Sequence, residues 1–263
     1  NEWHALGSGL LRSEYGDSPA TPYAIAVDEE GRVYVGGEFT IAGGVRVSNL
    51  ALWADGQWIN IGGANARVRD LVVVDADLYV VGEFTQIGGI AANHVARWNR
   101  TTQQWSALGA GLNDTVYAVA YADGLLYVGG GFKAAGNVTA EDVAYWDGAQ
   151  WHAFGTKARI FEVGDRGSEV GTYVNDLLVH GDSVFIAGHF QTIQNGTNSA
   201  DLSSFQVVHN IVEWQRSSDT WLWLGDAAQR GVTYGGYSGF SIDAKALAMV
   251  GNTLYVGGHF NQA

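Results

Sequence analysis

Tyr34-Val35-Gly36-Gly37-Glu38-Phe39 is the stretch whose reading decides the fold. It returns as Tyr79-Val80-Val81-Gly82-Glu83-Phe84 and as Tyr127-Val128-Gly129-Gly130-Gly131-Phe132. Two later copies are Phe185-Ile186-Ala187-Gly188-His189-Phe190 and Tyr255-Val256-Gly257-Gly258-His259-Phe260. An apolar segment precedes each copy, as in Val116-Tyr117-Ala118-Val119-Ala120-Tyr121, and a turn such as Asp123-Gly124 joins the two. A loop follows, then a short alternating run that ends in Trp53, Trp98, Trp146 or Trp214. A second Trp opens a last segment at Trp58, Trp105, Trp151 and Trp221. The apolar residues alternate and are rich in β-branched and aromatic types, which is the pattern of strands and not of helices. Each repeat therefore reads as four short strands, A to D, with turns between them.

A lone four-stranded sheet cannot bury both faces, and stacking copies around an axis buries them. The expected fold is an all-β propeller of four-stranded antiparallel blades, with five repeats visible and the fifth incomplete. The blades fall at about residues 22–62, 67–109, 115–155 and 172–225, with a partial blade at 243–263. Residues 1–7 read as a strand D, either unpaired or closing the last blade. The fifth repeat shows A and B without C and D. The chain is therefore expected to be an excerpt of a longer protein, ahead of the alternative that another chain supplies the missing strand.

Composition narrows the function. With 14 Lys and Arg and a formal charge of −13, the chain is a poor match for nucleic acid or an anionic membrane surface. It has no Cys, which excludes disulfides, thiolate catalysis and Cys-ligated zinc. No apolar run reaches the roughly 20 residues of a membrane helix. No nucleophile elbow, phosphate loop or metal triad is present, so the expectation is a protein that is no enzyme and holds no cofactor and no metal.

The double glycine closing an apolar strand, followed by two spaced aromatics, resembles the kelch repeat, with Trp here at both aromatic positions. The fuller pattern W-x-A-L-G-x-G, V-x-A-x-A, Y-V-G-G-x-F, A-x-W resembles repeats of fungal cell-surface cortical-marker proteins and bacterial surface proteins. That resemblance covers almost the whole chain and implies an extracellular or cell-surface location. Galactose oxidase shares the superfamily, but its Tyr–Cys cross-link has no counterpart in a chain without Cys.

The leading function is accordingly a non-catalytic surface module that binds protein or carbohydrate or builds an extracellular assembly. The alternatives are a glycan-active hydrolase or lyase with carboxylates at an axial pocket, and an architectural spacer in a large surface protein or fibre. Binding is expected on the face where the D–A and B–C loops emerge, because the long connections 156–172, 226–242 and 191–208 crowd it and loops carry function. They bring Phe161, Arg166, Phe205, Tyr234, Tyr237 and Phe240. Self-assembly, or further repeats beyond Ala263, extends the same reading. On strand A, Asp70 and Asp176 stand where other repeats have Ala118 and Ala246, either to hold a metal ion or to accept backbone hydrogen bonds at a blade junction. The sequons at Asn99, Asn113, Asn137 and Asn195 fall in expected loops and are candidates for glycosylation in a secreted eukaryotic protein.

Overall fold

In the computed structural model the described residues are 2, 4–13, 19–155, 159–163, 169–190, 192–194, 205–225, 231 and 243–260. They are all-β, with no helix among them. The chain divides into two compact units, Asn1–Val119 and Ala120–Ala263.

Four antiparallel sheets of four strands each run in the order A-B-C-D. Repeat 1 uses Thr21–Val27, Val33–Glu38, Leu50–Ala54 and Gln57–Ile59. Repeat 2 uses Val68–Val74, Asp77–Gly82, Val95–Asn99 and Gln104–Ala107. Repeat 3 uses Val116–Ala122, Leu125–Gly130, Val143–Trp146 and Trp151–Ala153. Repeat 4 uses Tyr173–His180, Ser183–His189, Ile211–Gln215 and Thr220–Trp223. Repeat 5 contributes a two-stranded sheet of Asp243–Val250 and Thr253–His259.

The recurring motif explains itself once strand A is seen beside it. Strand A carries a bulge, marked by register shifts between Pro22 and Ala24, Val68 and Asp70, Val174 and Asp176, and Ala244 and Ala246. The bulge pushes backbone against the second glycine of the motif: a Cβ on Gly37 would lie 2.3 Å from the Thr21 carbonyl oxygen. The first glycine admits the next repeat, since a Cβ on Gly36 would lie 2.3 Å from Val68 Cγ1. Gly129 stands in the same relation to Val174. The motif's Phe39, Phe84, Phe132 and Phe190 are fully buried, each worth about 2–3 kcal/mol of transfer free energy. The two Trp of a repeat face each other across strands C and D, as Trp53 does Trp58 with ring centroids 5.4 Å apart.

A first prediction follows from this packing. Gly36→Ala is expected to cost roughly 1 kcal/mol by overpacking. A double-mutant cycle with Val68→Ala, read by chemical denaturation, should show the two changes partly cancelling. Strict additivity would mean that the two sites do not meet.

Within unit 1 one core joins two repeats, with Tyr34, Leu50 and Leu52 packed among Val68, Leu71, Leu78 and Trp98. In unit 2, Ala187 and Ile211 of repeat 4 pack with Ala244 of repeat 5. The residue ahead of strand C has a left-handed backbone in four repeats, at Asn49, His94, Asp142 and Asn210. Asn, Asp and His tolerate that conformation best among residues with a Cβ.

Two sequence expectations need correction. Phe161 and Phe205 do not lie in irregular loops. Arg159–Val163 and Phe205–Val207 are strands, joined through Thr192–Gln194 in an added sheet that Glu169–Val170 completes. The insertion lengthens a pairing already present elsewhere, where a D–A connection touches the B–C hairpin: Leu10–Leu11 pairs with Ile41–Ala42, and Ala64 bridges Ile87. Asn99 is not in a loop but ends strand C of repeat 2. In the segment read as a strand D, either unpaired or closing the last blade, the Leu6 carbonyl accepts the Trp58 indole N–H at 3.1 Å. Ile61 accepts the indole N–H of Trp105 in the same way.

Candidate functional site

The two strand-A carboxylates sit just past the bulge. Asp70 accepts the Leu71 N–H at 2.8 Å on one oxygen and the Val119 N–H at 2.9 Å on the other. Asp176 repeats this with the N–H groups of Leu177, at 2.8 Å, and Leu247, at 2.6 Å. Burial raises the Asp176 pKa, against the two backbone donors that favour its ionised form. Each carboxylate thus stitches its own strand A to strand A of the following repeat.

The other expected residues are more scattered. Arg166, Tyr234, Tyr237, Phe240 and Asn195 lie outside the described residues. Asn113 and Asn137 are exposed, in a bend and a turn. The Asn99 amide, by contrast, donates to Asp77 at 2.7 Å, so a sugar on that nitrogen would break the contact. Of the residues ahead of the repeat Phe, Glu38 and Glu83 are held by arginines. His189 stacks on Tyr173 with ring centroids 5.4 Å apart.

A different group of side chains forms a connected surface cluster in unit 1. The bulge leaves one residue per strand A unpaired in the ladder, and in repeats 1 and 2 these are Tyr23 and Arg69. Tyr117 holds the equivalent place in repeat 3. The Arg69 guanidinium lies 4.6 Å from the centre of the Tyr23 ring and 5.5 Å from that of Tyr117. Its Nε donates to Glu83 at 2.9 Å. Arg67 donates to Glu38 at 2.9 Å and to Glu83 at 3.3 Å, and Arg12 adds a further contact to Glu38. The hydrogen bond from Arg67 holds the Glu38 carboxyl below its ordinary pKa, with Arg12 adding to the effect. Burial raises the Tyr117 pKa, so the phenol stays protonated.

The result is a Tyr–Arg–Tyr stack rimmed by a second arginine and two glutamates, at the end of the sheets where the D–A connections enter. Tyr23 is 40% exposed. Beside it opens a cavity of about 600 Å³, lined by Leu6, Leu10, Pro22, Ile25, Val35 and Trp58. Tyr and Arg are the residue types that dominate binding energy at interfaces. Arg69, already braced by the Glu83 carboxylate, loses little side-chain freedom on contact. The sequence carried the signal for this site, because Tyr23, Arg69 and Tyr117 share one position in the repeat. A search guided by loop length passes over it.

No family model matches the chain. No curated protein matches it. Among solved structures it is similar to the computationally designed Ika4 protein, at 16% identity, covering 79% of this chain and 99% of that one with a TM-score of 0.42.

Proposed function

We propose that this chain is a non-catalytic binding module of the cell surface or extracellular space, built as a kelch-like β-propeller, whose contact platform is the stack of Tyr23, Arg69 and Tyr117. The observation that carries the reading is the stack itself. Two aromatic rings and a braced guanidinium stand together at the end of the sheets. Such surfaces suit sugar rings, which stack on aromatic faces, and extended protein segments, which take hydrogen bonds from guanidinium edges. The exposed sequons at Asn113 and Asn137 support a secretory route.

The test is binding of the chain to a panel of cell-wall polysaccharides and to a surface-protein extract, with Tyr23→Ala, Arg69→Ala and Tyr117→Ala combined in one variant. The variant should lose at least tenfold in affinity while keeping its circular dichroism spectrum. A folded variant that binds as well as the parent would place the contact elsewhere and end the reading.

A further inference from the structure

The junctions between successive repeats alternate in chemistry. From repeat 1 to 2, and from 3 to 4, an odd repeat meets an even one. There the first motif glycine, Gly36 or Gly129, receives a valine, Val68 or Val174. An arginine from the turn after strand C of the even repeat also reaches back. Arg100 contacts Asp28 at 2.6 Å, and Arg216 contacts Asp123 at 2.8 Å and the Tyr127 hydroxyl at 3.2 Å. From repeat 2 to 3, and from 4 to 5, an even repeat meets an odd one. Val81 and Ala187 replace the glycine, and the joining group is the strand-A aspartate, Asp70 or Asp176. Its second oxygen takes the N–H of the residue two places past the bulge.

Strand A of repeat 1 is the odd half of such a junction, with Ala24 where Ala118 and Ala246 stand. Its Ile25 occupies the register position of Leu71 and Leu177. Those two leucines are 5% and 6% exposed, whereas Ile25 is 66% exposed and Val27 59%. The apolar cavity opens on the same face. Leu6 already serves Trp58 as Ile61 serves Trp105, so the segment that ends at Leu6 stands to repeat 1 as strand D of repeat 1 stands to repeat 2.

We propose that this face is the docking surface for one further four-stranded repeat of the even kind on the same polypeptide, whose last strand is residues 2–6. It carries Val or Ala at the first motif glycine and an Asp one place past its bulge, and that Asp accepts the Ile25 N–H.

The experiment adds strands ahead of the full chain. Residues 67–103, copied from even repeat 2, are placed before Glu2 so that residues 2–6 supply strand D. A parallel fusion uses residues 115–149 of odd repeat 3. The even fusion should slow amide exchange at Ile25 at least tenfold. Asp70→Ala within the added copy should remove that protection while leaving the exchange of Leu52 in the core unchanged. Equal protection by the odd fusion would overturn the proposal. So would protection of Ile25 in the unfused chain through a concentration-dependent dimer. A second measurement stands if a fusion does not fold. Ile25→Lys in the 263-residue chain should leave its melting temperature unchanged, and a marked fall would show that the face is already covered.

Discussion

Asp28→Ala should lower the stability of unit 1 by about 4 kcal/mol, because removing one partner from a buried ion pair strands the other. The Asp28 carboxylate is 1% exposed and Arg100 is 13% exposed. Asp28 accepts Arg32 Nε at 2.7 Å, the Tyr34 hydroxyl at 3.1 Å and the backbone N–H groups of Glu30 and Arg32, both at 3.0 Å. Truncation takes the carboxylate acceptor from these donors and leaves the Arg100 charge without its counter-ion in a place water reaches poorly. Replacing Arg100 by Met in the same variant should recover part of the loss, since no charge then remains to be solvated. Burial alone would raise the Asp28 pKa, but the Arg32 and Tyr34 hydrogen bonds outweigh it and hold the pKa at about 2. Its folded value lies below the ordinary 3.8, so its stabilisation is present above that pH and is lost as the pH falls toward 2. Denaturant titrations of parent and variant at pH 7 check the magnitude. A difference under about 1 kcal/mol would mean the carboxylate is dispensable to the junction.

Asp142→Asn should act in the opposite direction and stabilise unit 2 by about 2 kcal/mol at pH 7. Asp142 is fully buried at the left-handed position ahead of strand C, where repeats 1 and 4 have Asn49 and Asn210. Burial pushes its carboxyl up to about 6, against the Thr172 hydroxyl and the Lys133 ammonium, which both favour the ionised form. A raised folded pKa means that the folded chain keeps a proton the unfolded chain has released. Stability from this group is therefore full below 3.8, declines as the pH rises to about 6, and stays low above that. The amide has no proton to lose, so the variant should lack this decline. The stability difference between variant and parent, followed from pH 4 to pH 7.5, should open across that window. A difference that does not change with pH would show that Asp142 titrates normally.

The sequence makes the strands legible because their residue types are repeated. Tyr34 to Phe39 and its copies name strand B, and the Trp pairs name C and D. The first glycine is legible as a place where neighbouring sheets approach closely, but the reason for the second is not, because the bulge in strand A that crowds Gly37 leaves no mark in the alternation. The bulge residues were missed for the same cause. Tyr23 and Arg69 read as ordinary strand positions until the register shift turns them out of the ladder. Asp70 and Asp176 were legible as odd residues on an apolar strand, but two readings fitted them. Only their contacts with Val119 and Leu247 decide between ligand and stitch. Asn99 misled because a sequon says nothing of whether its amide nitrogen is already engaged. Phe161 and Phe205 misled because two long connections that pair with each other look, one at a time, like loops.

The alternation of junctions also constrains how such an array can grow. Arg100 and Arg216 look backward to an odd neighbour, and Asp70 and Asp176 look forward to one. Deleting a single repeat would set two odd or two even repeats side by side. One boundary would then have neither arginine nor aspartate to join it, or would have both. Genes that encode repeats change length by unequal exchange. Here only exchanges that move two repeats at a time preserve the partners at every boundary.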